Sequence, residues 1–163
     1  MSPSTDILSE KDLKYLRQAI EISADARKHG QHPFGCIIVD ENDKVVTTAE
    51  NQVPSGDASQ HAELRAVSII TKLKDAQTLG NCTLYTSTEP CVMCSGAIVW
   101  SGIGRIVFGL SNESLNKLAK LNPKNWYITM NTKEIAERAS RPVQVLGPFI
   151  EDEAVIPHDH FWD

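Results

Sequence analysis

The 163-residue chain has no apolar run approaching the roughly 18 residues that cross a membrane. Its first residues, Met1-Ser2-Pro3-Ser4-Thr5-Asp6, lack the basic and apolar regions of a secretory leader. Residues 1–8 are expected to be a flexible tail, and the protein is expected to be cytoplasmic with no membrane partner. No Lys or Arg follows Arg141. Up to that point 16 acidic side chains balance 16 basic ones, so the net charge of −5 comes from Glu151, Asp152, Glu153, Asp159 and Asp163. An end of that sign repels phosphate backbones, which argues against nucleic acid as a partner. No repeat, low-complexity stretch or second block of composition divides the chain. Residues 9–163 are therefore expected to form one domain, long enough for a real core. A disulfide framework is also missing. Cys91 and Cys94 stand in a metal-like spacing, while Cys36 and Cys82 sit in apolar runs and read as small buried thiols.

What is present has the rhythm of an α/β layer. Ser9 and Asp12 form a capping-box pattern ahead of a helix over residues 10–28, with Leu13, Leu16 and Ile20 as its stripe and Gly30 as its stop. Residues 36–39 read as a buried strand, Glu41-Asn42-Asp43 as a hairpin turn, and 44–49 as the returning strand. Residues 51–60 are a polar loop. A second helix is expected over 62–73, with Leu64, Val67, Ile70 and Leu73 inward. Strands follow at 82–87 and 105–108, separated by a helix over 91–102. Weak helices at 114–121 and 132–139 precede a last strand at 143–146. Trp126-Tyr127-Ile128 fits neither pattern. Strands alternating with helices predict a partly parallel sheet, with the initial hairpin adding an antiparallel strand.

Two clusters carry chemistry: His61-Ala62-Glu63 at the start of one expected helix, and Pro90-Cys91-Val92-Met93-Cys94 after a strand. Cys91 and Cys94, three apart, share one helix face about 60° wide. In a first turn the helix dipole favours their thiolates. With a neutral His61 they make a Cys₂His set, the ligand count of a catalytic zinc with its fourth position open. His61 and Glu63 are two apart, roughly 200° on a helix, so they can share a cavity only if His61 still has non-helical dihedrals. A carboxylate beside zinc but not bound to it can move protons for a water whose pKa the metal lowers towards about 7. A structural zinc would need a fourth ligand from Cys36, Cys82, His29, His32, His158 or His160. A thioredoxin-like Cys-x-x-Cys would leave His61 and Glu63 without a purpose.

The H-x-E…P-C-x-x-C pattern resembles that of the cytidine and deoxycytidylate deaminase superfamily, and the likeness runs from about residue 10 to residue 150. It implies a three-layer fold, a five-stranded mixed sheet between helices, with one zinc ion per chain on two helix starts. It implies that His61, Cys91 and Cys94 hold the zinc and that Glu63 is the catalytic proton shuttle. It also implies that Asn51 hydrogen-bonds the base and that the backbone near Ala62 lines the site. Pro33-Phe34-Gly35, Asn51-Gln52-Val53, Leu84-Tyr85-Thr86-Ser87 and Trp100 look like guanine deaminases. Cys91 to Val99 and Gly104 to Gly109 look equally like tRNA adenosine deaminases, which tend to end in a basic helix where this chain ends acidic.

The substrate is therefore expected to be a small base or nucleoside, with guanine to xanthine plus ammonia as the favoured reaction. Cytosine or guanosine deamination, tRNA adenosine deamination and a non-catalytic scaffold or structural-zinc module are the alternatives. The segment 150–163 ends His158-Asp159-His160-Phe161-Trp162-Asp163. It is expected to close the pocket with Phe161 and Trp162 stacking on the base, while Asp163, or else Asp159, accepts its N–H groups. A frayed terminus is the plainer alternative. Phe34 and Trp100 are candidate pocket residues, with core packing as the alternative for both. The resemblance also implies a homodimer.

Overall fold

The first helix owes its start to its own side chains. In the computed structural model, which describes residues 8–121, 124 and 126–163, α1 (Glu10–Lys28) opens on Ser9. The Ser9 hydroxyl accepts from the Asp12 N–H while Asp12 accepts from the Ser9 N–H, a complete capping box. Gly30, at φ +80°, turns the chain away after the last turn. Of the tail expected at residues 1–8, residues 1–7 lie outside the described residues.

Five strands follow: β1 (Gly35–Val39), β2 (Val45–Glu50), β3 (Thr83–Thr88), β4 (Arg105–Leu110) and β5 (Gln144–Leu146). Their spatial order is β2-β1-β3-β4-β5. β1 pairs antiparallel with both β2 and β3, whereas β3–β4 and β4–β5 are parallel, so the sheet is mixed as expected. Helices α2 (Ala62–Ile70), α3 (Ala76–Leu79) and α4 (Val92–Ser101) fall between β2 and β4, and α5 (Asn112–Leu118), α6 (Thr132–Glu137) and α7 (Glu151–Ala154) follow. Among the described residues no helix is long and apolar enough to cross a membrane.

The strands are apolar on both faces because both faces are covered. On one side Ile38, Leu84 and Ile106 meet Ala62, Ala66 and Ile70 of α2 and Ile98 of α4. On the other, Ile37, Tyr85 and Val107 meet Leu16, Ala19 and Ile20 of α1 and Ala154 of α7. The close approach of α1 depends on Gly35. A Cβ there would lie 2.6–2.8 Å from Ser23 N, Ile22 Cγ2 and Ala19 O. Asp12 reaches under the sheet, where it accepts from Arg105 Nη1 and Nη2 at 2.7 and 2.8 Å and from the Tyr85 hydroxyl at 2.6 Å.

Some expectations need correction. The second helix stops at Ile70, and Leu73 is 69% exposed rather than inward. There the Thr71 hydroxyl bonds back to the Val67 carbonyl at 2.8 Å, a contact that competes with helical pairing. The short helices α3 and α7 carry too few residues to show a period. Residues 126–128 join no regular element, and Trp126 is fully exposed.

Candidate active site

The site forms where two helices begin beside the carboxyl end of β3. His61 is the N-cap of α2 and keeps extended dihedrals, φ −70° and ψ 150°. That is the conformation the two-residue spacing requires: His61 and Glu63 both line one cavity. Cys91 is likewise the extended N-cap of α4, and Cys94 lies one turn further on. The ligand atoms of His61, Cys91 and Cys94 all fall within 4.8 Å of one another. Cys91 Sγ is 3.4 Å from His61 Nδ1.

These groups perturb one another strongly. The neighbouring Cys94 thiol, then His61, holds the Cys91 thiol well below the usual range. The same contact, together with burial, pushes Cys94 up. Hydrogen bonding to Cys91 raises His61. Two thiols and an imidazole crowded together in this way share protons that a soft divalent cation can replace. The donor set fits zinc, and among the described residues no fourth His, Cys, Asp or Glu joins it. His32 and His158 therefore stay outside the ligand group, and so do Cys36 and Cys82, both fully buried in the core.

Glu63 is 5% exposed and stands apart from the three donors. Burial pushes its carboxyl pKa up. The Thr86 hydroxyl, from β3, donates to Glu63 Oε1 at 2.5 Å. Glu89 has a different task. Its Oε2 accepts from the Asn112 N–H at 2.9 Å and its Oε1 from the Thr132 N–H at 3.1 Å, which ties the turn before Cys91 to the starts of α5 and α6.

A cavity of about 190 Å³ opens on this group. His32, Phe34 and Asn51 line it together with His61, Glu63 and Cys91, and Val53, Thr88, Glu89, Asn112 and Leu115 complete the wall. Asn51 is 2% exposed, and its Oδ1 accepts from the Val53 N–H at 2.9 Å. Its amide NH₂ is thereby turned to other partners. Ala62 is fully buried between His61 and Glu63 and takes no part in the cavity wall.

The C-terminal segment folds back over this region. Phe161 and Trp162 are half-buried, with ring centroids 5.8 and 5.7 Å from His32, and Trp162 lies 6.2 Å from Phe34. His158, 2% exposed, sits edge-on to Phe34 at 5.3 Å and accepts from the Trp162 indole N–H at 3.2 Å. Burial pushes its imidazole down to about 4, so it is neutral at pH 7. Arg27 of α1 donates from Nη1 to the carbonyls of Pro157 and Asp159, and its guanidinium lies 5.4 Å from the Phe161 ring centre.

Phe161 and Trp162, expected to stack on the base, pack on His32 and Phe34 and are not among the cavity's lining residues, and three further expected pocket residues lie elsewhere. Asp163 points outward to His160 at 2.7 Å and Lys120 at 3.5 Å. The Asp159 side chain is 78% exposed and lies 3.7 Å from His160 Nε2, away from the cavity. Trp100 is 91% exposed and lines neither pocket nor core. It stands two positions beyond the buried Ile98, roughly 200° around the helix. Sequence reading missed Thr86, whose signal was the period-two alternation placing it with Leu84 on the α2 side of β3. It also missed the wall positions His32, Val53, Asn112 and Leu115, which come from loops and short helices with no pattern to read, and Thr88, which shares the alternation of β3 with Thr86.

Three soft donors on two helix starts, beside a separate buried carboxylate, define a zinc site of the catalytic rather than the closed structural kind. The chain belongs to the cytidine and deoxycytidylate deaminase family: residues 9–110 match that family's zinc-binding region. A Schizosaccharomyces pombe protein named "Probable cytosine deaminase" is 60% identical over 160 residues, which cover 98% of each chain. The tRNA-specific adenosine deaminase of Haemophilus influenzae is 37% identical over 107 residues, 65% of this chain and 62% of that one. Among solved structures, the guanine deaminase from Nitrosomonas europaea superposes with a TM-score of 0.74 at 21% identity, covering 95% of this chain and 85% of that one. At that identity the likeness speaks for the fold.

Proposed function

We propose that this chain hydrolyses cytosine to uracil and ammonia. The observation that carries the reading is the 60% identity, sustained over 98% of both chains, to the S. pombe protein of that name. The cavity supports it. At about 190 Å³ it falls below the roughly 300–1,000 Å³ of drug-sized sites, which suits a single ring better than a purine or a nucleoside. The reading thus moves from guanine to cytosine.

His61, Cys91 and Cys94 would hold the zinc, which when bound supplies a Lewis acid that lowers the pKa of a water. Glu63 takes a proton from the water that adds to C4 of the ring. It passes that proton to N3, then carries the proton of the new C4 hydroxyl to the departing amine, so that the C4–N bond breaks, ammonia leaves and a carbonyl forms at C4. A raised carboxyl pKa suits a group that must accept and release protons in turn. The Asn51 amide NH₂ donates to the ring carbonyl. Phe161 and Trp162, packed on His32 and Phe34, cover the cavity wall and keep bulk water out. Met93 and Trp100, seven apart on the outer face of α4 and 40% and 91% exposed, supply an apolar surface for a second copy of the chain.

Ammonia release measured across cytosine, cytidine, guanine, guanosine and adenine tests the substrate. Cytosine should give the highest kcat/KM. A preference for guanine, or no turnover of cytosine, would overturn the reading.

A further inference from the structure

Glu63 occupies the second position of α2, next to unpaired N–H groups of the helix start. A carboxylate there has three rotatable bonds and an attractive place to fold back, onto the helix N-terminus itself. Proton transfer needs it turned the other way, into the cavity. The Glu63 carboxylate takes its own backbone N–H at the helix start, and a second hold comes from the sheet. Leu84, Thr86 and Thr88 alternate onto the α2 side of β3, and Thr86 stands directly beneath the Glu63 carboxylate.

The Thr86 hydroxyl has one proton and two acceptors within reach, Glu63 Oε1 at 2.5 Å and the Thr88 carbonyl at 3.0 Å. The shorter, charge-assisted bond takes the proton. Thr86 is fully buried and its β-branch restricts it to few rotamers, so the donor is fixed before substrate arrives. Among the described residues no side chain donates to Glu63 Oε2, although Glu63 lines the cavity. One oxygen is therefore clamped from the sheet, and no other side chain competes for the second.

We infer that Thr86 is a positioning residue for the deamination: its hydroxyl clamps Glu63 Oε1, so that Oε2 is the atom that carries protons between water, ring nitrogen and leaving amine. The inference rests on the hydrolytic reading proposed above and adds to it which oxygen works and what holds it there. Thr86 touches no substrate. Its effect on the chemical step comes through Glu63, and ground-state binding, which depends on other walls of the cavity, is untouched.

Thr86→Val, which keeps the shape and removes the hydroxyl, is the test, with Thr86→Ser as its conservative counterpart and Thr86→Ala in place of the valine variant should that one not fold. Each is assayed with the zinc-loaded protein on whichever base of the panel the wild type turns over best, alongside zinc content and thermal unfolding. Thr86→Val should lower kcat about 10- to 100-fold with KM within about twofold, at unchanged zinc content. Thr86→Ser should recover to within about threefold of wild type. The inference is overturned if the valine variant keeps kcat within twofold, if its loss lies in KM, or if serine is as poor as valine. Failure of the cytosine reading shows separately, in the wild type's own ranking of the panel. A wild type that deaminates none of the bases overturns both.

Discussion

Arg27 is the residue whose removal should loosen the C-terminal segment without touching the metal ligands. It bridges α1 to the chain end through a single nitrogen, Nη1, whose two hydrogens serve the carbonyls of Pro157 at 2.9 Å and Asp159 at 2.6 Å. Charge-assisted bonds of this kind contribute about 1.5–3 kcal/mol when dry. One is part-buried and the other exposed, so about 1 kcal/mol each is the fitting figure here. The guanidinium over Phe161 adds about 0.5 kcal/mol at an exposed site. Arg27→Ala should then cost about 2–2.5 kcal/mol of local stability, which raises the population of the opened segment about 30- to 60-fold. Hydrogen exchange reads this directly. The amides of His158, Asp159 and Phe161, which donate to Val155, Ile156 and His158 carbonyls, should lose protection by that factor, while those of β1 and β3 keep theirs. If the segment covers the cavity, KM should rise with it. Arg17→Ala is the control, because Arg17 and its partner Glu153 are 52% and 38% exposed and such pairs contribute about 0–1 kcal/mol. Protection changing less than threefold in Arg27→Ala, or no more than in Arg17→Ala, would refute the assignment of Arg27 as the fastener.

Other outcomes follow from the same contacts. Glu63→Ala should retain zinc, since Glu63 is outside the ligand group, yet lose about 10²- to 10⁴-fold in turnover; metal analysis beside ammonia release checks both halves, and a normal rate would remove Glu63 from the chemistry. Arg105→Met should destabilise by about 2–3 kcal/mol at pH 7 in denaturant titration, because it strands the nearly buried Asp12 carboxylate with the Tyr85 hydroxyl and the Ser9 N–H. Arg105 holds the Asp12 pKa far below its ordinary 3.8, so this stabilisation is complete above about pH 4 and fades as pH falls towards the folded value. The gap between wild type and Arg105→Met should therefore narrow in acid, and a gap independent of pH would remove Asp12 as its source. On the proposed contact through the outer face of α4, light scattering should give a dimer for the wild type and a monomer for Trp100→Glu, and equal masses would show that this face is not a contact.

The ease with which each part could be read follows how local its cause is. The α1 capping box needs only Ser9 and Asp12, three residues apart, and its reading agreed with the structure at both ends. His61, Cys91 and Cys94 were legible as a set because zinc chemistry restricts donor types and helix geometry restricts spacing, even though 30 residues of chain separate the halves. Trp100 was legible in principle and misjudged. Cys94 and Ile98 define the buried stripe of α4, and counting 100° per residue from them places Trp100 on the far side. The carboxylates of the tail were not legible at all. Nothing between Ile150 and Asp163 is long enough to carry a period, and the directions of Asp159 and Asp163 depend on the distant Arg27 and Lys120 as well as on the neighbouring His160.

The same distinction separates the reaction from the substrate. Proton shuttling and metal binding call for particular residue types at short spacings, so they leave a mark in the sequence. On the proposed function, the choice of base depends on the room between walls contributed by His32 and Phe34 ahead of β1, the loop after β2, the end of β3 and α5. Phe34 illustrates this. Gly35 lets β1 settle directly on α1. That contact brings Phe34 against His158 and Trp162, residues more than 120 positions away, at one wall of a cavity of about 190 Å³. On this reading the Phe34 wall of the cavity depends on a glycine packing on a helix and on a chain end that an arginine holds. Changes at Gly35 or Arg27 should accordingly alter which base is accepted before they alter whether one is deaminated.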